Sequence, residues 1–306
     1  MIEISVTVES ISQAKVLVDR DIDYLYTGDA EFGLRLPKHF SRSELQELTI
    51  LAHEKGKKIR VAVNAIMHPE RMEKIGDYLT FLQEIGVDDI VVGDPGVIYV
   101  LARDGYDLPF IYDAATMVTS SRQINFWAKK GAQGAVLARE IPFTELKQLR
   151  QELMVPGEIL VYGATCIHQS KRPLLENYFH FIQSNEDTSK ERGLFIAEPK
   201  EETTHYSIYE DQHGTHIFNT NDVNLMKEVG ELAEAQLTSW KLDGIYTPGN
   251  QFVTIVDYFI EAKHLIEANQ WTEQEATRLN GLVVAAHPNN RGLDEGFYYL
   301  DPDDIR

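Results

Sequence analysis

Amphipathic stretches of this chain repeatedly end at a glycine with basic or polar neighbours, and a short apolar run follows each one. HEKGKK leads into IRVAVN, EIGVDD into IVVGD, RDGYDLP into FIYD, and KKGAQG into AVLARE. Gly56, Gly86, Gly105 and Gly131 stand where a helix closes with a left-handed cap. The β-branched runs after them are too short and too apolar for half-exposed strands and fit a parallel sheet covered on both faces. Strands are predicted near Glu3–Val8, Tyr24–Tyr26, Ile59–Val63, Ile90–Val92, Phe110–Tyr112, Ala135–Leu137, Ile159–Val161 and Ser239–Leu242, with helices between them. Eight strands in this alternation predict an α/β fold, a closed (β/α)8 barrel of the TIM type, with residues 1–306 forming one domain.

Helix starts agree with that count. Ser41 and Glu44 read as a capping box ahead of LQELTILAHEKG, whose Leu45, Leu48, Leu51 and Ala52 share one face, and Ser120 is placed to cap SRQINFWAKKG. Between strands seven and eight the alternation fails. Residues 163–237 are too many for a plain βα unit and contain HYSIYEDQHGTHIFNT, two alternating runs around a His213–Gly214 turn. This predicts an insertion with a β-hairpin, projecting from the C-terminal end of the strands, with SNEDTSKERG (184–193) as a mobile surface loop. Residues 269–306 are expected to form a C-terminal extension.

Composition narrows the function classes. A chain with 43% apolar residues can bury a large core, and no apolar run approaches the length of a membrane span, about 18 residues. MIEISVTVES lacks a basic-then-apolar leader, so the expected location is cytoplasmic, with no membrane partner. The formal charge of −19 repels nucleic acid over most of the surface, so RNA contact has to be local or supplied by a partner. The single cysteine, Cys166, excludes an intramolecular disulfide and a four-thiolate zinc or iron–sulfur site built from this chain alone.

In such a barrel the chemistry sits on the loops that follow the strands. The residues there are Asn64, Asp94, Asp113, Arg139, Glu140 and Lys241, each with a structural alternative. Asp94 before Pro95 is either a helix cap or a ligand. Arg139 and Glu140 are either rim scaffolding or substrate contacts, and Asn64 is either a turn former or a buried amide in need of partners. Cys166 has His168 two residues on, with His205, His213 and His216 in the insertion, a composition from which a cysteine nucleophile and its base can be drawn. A small apolar side chain in a turn is the alternative for the thiol. Of the basic pairs, Lys57–Lys58 and Lys129–Lys130 fall at helix ends, and Lys171–Arg172 lies on the predicted functional face.

DYLYTGDAEFGLR, GKKIRVAVN, VGDPGVIYV, VLAREI, VYGATC, YEDQHGTHIFNTNDV, SWKLDG and NRGLDEGF occur in the order and at roughly the spacing found in peptidase family U32, which the whole chain resembles. The resemblance implies a TIM-type barrel. Its better understood members are O2-independent hydroxylases of a wobble uridine in tRNA, giving 5-hydroxyuridine, of a ribosomal RNA cytidine, or of a ubiquinone precursor, with prephenate as the implied hydroxyl source in several. Older members carry the name of collagenase-like proteases.

Members of the family resemble H-G-A-x-C-x-x-x-S-G-R-C followed by two more cysteines, four thiolates implied to hold an iron–sulfur cluster. Here the first cysteine is Cys166, the second position is Pro173, and the later two match Phe195 and Pro199. Cys166 is therefore a remnant ligand position, and no cofactor is expected in the isolated chain. An arginine of the family after strand eight is Ile245 here, leaving Lys241 as the cation, and glutamine and asparagine positions after strand five are Ala115 and Met117. Longer members continue into a further C-terminal domain. These departures imply a short, cysteine-poor paralogue acting in tRNA wobble-uridine hydroxylation. The implied partners are a longer cysteine-rich paralogue that carries the iron–sulfur cluster, tRNA bound through that complex, and prephenate. The alternatives are a U32-type peptidase using Cys166 and His168, and a binding module without catalysis.

Overall fold

The computed structural model describes residues 1–115 and 118–301, the side chains of 201–203 excepted. Seven parallel strands pair in sequence order: β1 (Glu3–Thr7), β2 (Tyr24–Thr27), β3 (Lys58–Val63), β4 (Asp89–Val92), β5 (Phe110–Asp113), β6 (Ala132–Val136) and β7 (Gly157–Ser170). Three strands then intervene, β8 (Phe195–Glu198), β9 (Glu201–Asp211) and β10 (Gly214–Asn224). The eighth barrel strand, β11 (Ser239–Leu242), pairs with both β7 and β1 and closes the cylinder. The predicted (β/α)8 barrel is thus the observed one.

Helices cover its outer face: α1 (Ile11–Leu17), α2 (Arg42–Glu54), α3 (Pro69–Met72), α4 (Ile75–Glu84), α5 (Pro95–Asp104), α6 (Ser121–Ala128) and α7 (Phe143–Glu152). The Ser41–Glu44 capping box opens α2, and Ser120 accepts from Arg122 N at the start of α6. The four glycine stops all have positive φ, from 66° at Gly56 to 106° at Gly131. Outward side chains such as Ile59, Val61, Ile90 and Val92 join the buried layer beneath the helices, whereas Tyr26, Ala62, Val91 and Ile111 fill the lumen.

Charged groups also fill that lumen. Arg60 Nε and Nη2 donate to the two oxygens of Asp89 at 2.6 and 3.0 Å, Nη1 donates to Glu158 Oε2 at 2.6 Å, and the guanidinium lies 4.0 Å from the Tyr24 ring centroid. Burial opposes the charge on Arg60, but the carboxylates of Glu158 and Asp89 outweigh it and hold its proton above the usual range.

Between β7 and β11 lies the predicted insertion. The strand read near Ile159–Val161 is the start of a 14-residue strand that leaves the barrel at Gly163 and runs on to Ser170 as one edge of an antiparallel ribbon. Gly163 has φ 128°, and a Cβ there would collide with the Asp243 carbonyl oxygen, so the departure point admits only glycine. The ribbon is ordered β7, β10, β9, β8, and the hairpin turn closes where Asp211 pairs with Gly214. α8 (Leu174–Phe181) crosses from β7 toward β8 and carries exposed Tyr178 and Phe181. The segment 184–193 is tied down at its end: Lys190, in a short 3-10 turn, donates to the carbonyl oxygens of Leu36 and Pro37.

After the ribbon come α9 (Val229–Glu234) and, past β11, α10 (Gly249–Glu267), α11 (Glu273–Ala286) and β12 (Gly292–Asp294), which pairs in parallel with β10. Arg291, at the start of that last stretch, is held on Asp222 of β10 by Nε at 2.8 Å and Nη2 at 2.6 Å. Residues 302–306 lie outside the described residues. No described helix is long and apolar enough to cross a membrane.

Candidate functional site

A cavity of about 480 Å3 opens at the C-terminal mouth of the barrel, where the β2 to β7 loops meet the ribbon. Its lining includes Asn64, Asp94, Asp113, Arg139, Glu140, Cys166 and His168, so seven of the eight predicted residues border one cavity. Asn64 Nδ2 donates to Asp113 Oδ2 at 2.9 Å, and its Oδ1 accepts from Leu34 N at 3.0 Å, which fixes the amide orientation. Asp113 Oδ1 in turn accepts from Ala115 N at 3.1 Å. Asn64 is thus a half-buried amide partnered at both its oxygen and its nitrogen. Asp94 caps α5 by accepting from Gly96 N at 2.7 Å, and it also lines the cavity. Arg139 Nη1 donates to the Ala164 carbonyl at 2.7 Å, and Glu140 stands exposed at the rim.

Lys241 is the predicted residue that does not join them. The alternation of β11 turns it into the lumen, where Nζ sits 3.4 Å from the Tyr26 ring centroid and the residue is buried. Burial pulls its ammonium below the ordinary value, opposed by the carboxylates of Glu158, Asp243 and Asp113. The second cation of the cavity is Arg35, which sequence reading missed because it lies in an aperiodic loop; its Nη1 donates to Gln169 Oε1 at 2.5 Å. Ala115 lines the cavity, and Met117 lies outside the described residues. Of the basic pair on this face, Lys171 donates to the Gln212 carbonyl at 2.6 Å and Arg172 is exposed.

The thiol has a different imidazole from the one expected. β7 and β10 pair Phe218 with Cys166 but Ile217 with His168, a bulge at Ile167 that sends the His168 ring to the other face of the ribbon. His168 offers only its carbonyl, 3.3 Å from Cys166 Sγ. His216, two residues before the Phe218 that pairs with Cys166, shares the thiol's face of the ribbon. Its Nε2 lies 2.9 Å from Asp211 Oδ1, and its ring stacks on Tyr209 with centroids 4.8 Å apart. Burial pushes the Cys166 thiol up, yet His216 and the charges of Arg35 and Arg139 outweigh burial and hold it below its ordinary value. Burial likewise pushes His216 down, while Asp211 and Cys166 bring it above its ordinary value. Each group is thus shifted in the direction of its charged form.

Over this site the hairpin tip is latched to the β2 loop: Gln212 Nε2 donates to the Ala30 carbonyl, and His213 Nε2 meets the same oxygen at 2.7 Å. Burial drives His213 down to about 4, so it sits there as a neutral donor.

A parallel barrel whose seventh strand continues into an antiparallel ribbon defines a TIM-type barrel protein with a polar cavity at its strand ends. The sequence profile of peptidase family U32 matches residues 9–306, and the chain belongs to that family. Over 304 residues it is 35% identical to tRNA hydroxylation protein P2 of Bacillus subtilis, taking in 98% of each chain. It is 23% identical over 276 residues to tRNA hydroxylation protein P1 of the same bacterium, across 87% of this chain and 65% of that one. The chain thus spans slightly under two thirds of the longer relative. Among solved structures, that of the U32 peptidase Mk0906 superposes with a TM-score of 0.51 over 79% of this chain and 92% of that one, at 16% identity, which speaks to the fold.

The residues present do not fit an iron–sulfur cluster. Cys166 is the chain's one thiol, Pro173 and Pro199 offer no donor, and the Phe195 ring lies tilted against His205 with centroids 4.1 Å apart. Among the described residues no group of three or more His, Cys, Asp or Glu side chains converges as a metal site.

Proposed function

We propose that this chain is a subunit of a tRNA wobble-uridine hydroxylation system that forms 5-hydroxyuridine together with a longer, cysteine-rich paralogue. The observation that carries this reading is the 35% identity to tRNA hydroxylation protein P2 along essentially the whole of both chains. That P1 and P2 occur in one bacterium supports a division of labour between a long and a short member. In this reading the paralogue supplies the iron–sulfur cluster and most of the tRNA contact, as a chain of charge −19 needs. The complex works in the cytoplasm, where tRNA is.

The cavity of this chain offers what a small anionic hydroxyl donor of the prephenate type requires. Arg35 and Arg139 are planar cations suited to carboxylates, and the Asn64–Asp113 pair is a fixed polar edge. Deleting the gene is expected to lower 5-hydroxyuridine-derived nucleosides in tRNA, measured by nucleoside mass spectrometry, and a tagged chain is expected to bring down the cysteine-rich paralogue. The purified chain alone is expected to be inactive and to contain negligible iron. Normal wobble hydroxylation in cells that lack the chain, under conditions where the longer paralogue is required for it, would sink the reading.

A further inference from the structure

The end of β7 that lines the cavity, and β10 paired against it, hold a set of side chains that donor binding leaves without a task. Cys166 borders the cavity and is only partly covered. His216, 0% exposed, is held through Nε2 by Asp211. Its Nδ1 has no hydrogen-bond partner in the protein, and the pairing of β10 with β7, Phe218 opposite Cys166, sets the thiol one step along the same face of the ribbon. Carboxylate, imidazole and thiol in that order are the orienter, base and nucleophile of covalent catalysis. The relay ends at a space of about 480 Å3, within the range of small-molecule sites.

Resting on the reading that a tRNA uridine is the substrate, we infer that Cys166 is a nucleophile toward its base, the sulfur adding reversibly to C6 of the uracil ring with His216 as the proton acceptor. His216 takes the thiol proton. A sulfur electron pair forms the S–C6 bond, the C5–C6 π pair moves onto C5 and the O4 carbonyl, and a proton adds at C5. Loss of a proton from C5 and of the thiolate from C6 reverses the sequence. The cycle therefore consumes no oxidant or reductant. Arg35 and Arg139 are the cations beside the thiol that meet the enolate charge. The carbon made electron-rich is C5, the one that carries the hydroxyl in 5-hydroxyuridine. An unstacked anticodon-loop base reaches such a pocket at little unpairing cost.

The probe is an anticodon stem-loop carrying 5-fluorouridine at the wobble position, where fluorine favours addition at C6 and, once hydroxyl has been delivered to C5, leaves no proton there whose loss would release the adduct, alongside the same RNA tritiated at C5. Both are given to this chain alone and together with its longer paralogue. The expected result is a denaturation-resistant adduct mapped to Cys166, with tritium released to water. Cys166→Ser lowers both by about a hundredfold or more, with melting temperature and iron content of the complex unchanged, and His216→Gln slows adduct formation by about tenfold or more and alters its pH profile. A complex that hydroxylates tRNA yet gives neither adduct nor tritium release overturns the inference and leaves the hydroxylation reading standing. Loss of iron in Cys166→Ser assigns the thiol to the cluster, and peptide cleavage abolished by Cys166→Ala assigns it to acyl transfer; either overturns it. If cells without the chain hydroxylate normally while the adduct still forms, the hydroxylation reading fails alone.

Discussion

Asn64 at the end of β3 reaches Asp113 at the end of β5, its amide donating at 2.9 Å across the mouth of the intervening strand β4. That bond leaves the second oxygen of Asp113 on the Ala115 amide and closes one side of the cavity. Asn64→Asp puts two carboxylates where one pair of complementary groups stood. It is expected to abolish wobble hydroxylation in a complementation test while costing about 1–3 kcal/mol in chemical denaturation. Full activity in this variant would show that the pair is scaffolding only.

Arg139 and Lys130 are both cations after or near β6, yet their environments differ. Arg139 lines the cavity and holds the Ala164 carbonyl, whereas Lys130 follows a helix end, with Nζ 5.9 Å from the Phe126 ring centroid. Arg139→Ala is expected to cut complementation by about tenfold or more, and Lys130→Ala to leave it within about twofold, as one lost site interaction of roughly 1.4 kcal/mol or more implies. Nucleoside mass spectrometry of the complemented strains reads both.

Inside the lumen, Arg60 neutralises Asp89 and Glu158 at once. Arg60→Leu strands two buried carboxylates and is expected to cost about 3–5 kcal/mol, seen as a lower denaturant midpoint with little change in slope. A loss under about 1 kcal/mol would mean that water reaches the triad.

Asp29, beneath the latched hairpin, gives a pH signature. Burial raises it from 3.8 to about 6, even though it accepts from Phe32 N at 2.8 Å. With a folded value above the unfolded one, the native state binds the extra proton, so this residue's stability contribution is present at acid pH and is lost as pH rises through about 6. Asp29→Asn can keep the Phe32 bond through its oxygen. It is expected to be more stable than the parent by about 2–3 kcal/mol at pH 8 and no more stable at pH 3.5, measured by urea titration at both values.

The barrel was legible because its strands are covered on both faces and each helix stops at a glycine, so Ile59–Val63 or Ile90–Val92 announce themselves without a partner in view. The cavity followed from the rule that strand ends carry the chemistry, which gathered Asn64, Asp94, Asp113, Arg139 and Glu140 correctly in space. Three features lay beyond sequence reading, each for a geometric reason. Lys241 looks like a strand-end cation until the pairing register of β11 with β7 turns it inward onto Tyr26. His168 looks like the partner of Cys166 until one extra residue, Ile167, rotates it away and brings His216 from a strand some fifty positions later. Arg35 has no periodicity to mark it, and its left-handed backbone, φ 53°, is a property of the folded loop alone.

Because β7 is at once a barrel stave and the first strand of the ribbon, the wall that carries Cys166 is cantilevered from the barrel by unbroken backbone. With the hairpin tip also fastened at Ala30 and Lys190 fastened at Leu36 and Pro37, that wall is braced at its root and at its far end. The exposed side of the cavity is the opposite bank, the turns bearing Ile66 and Glu140, and under the proposed tRNA reading the reacting base is presented from that side.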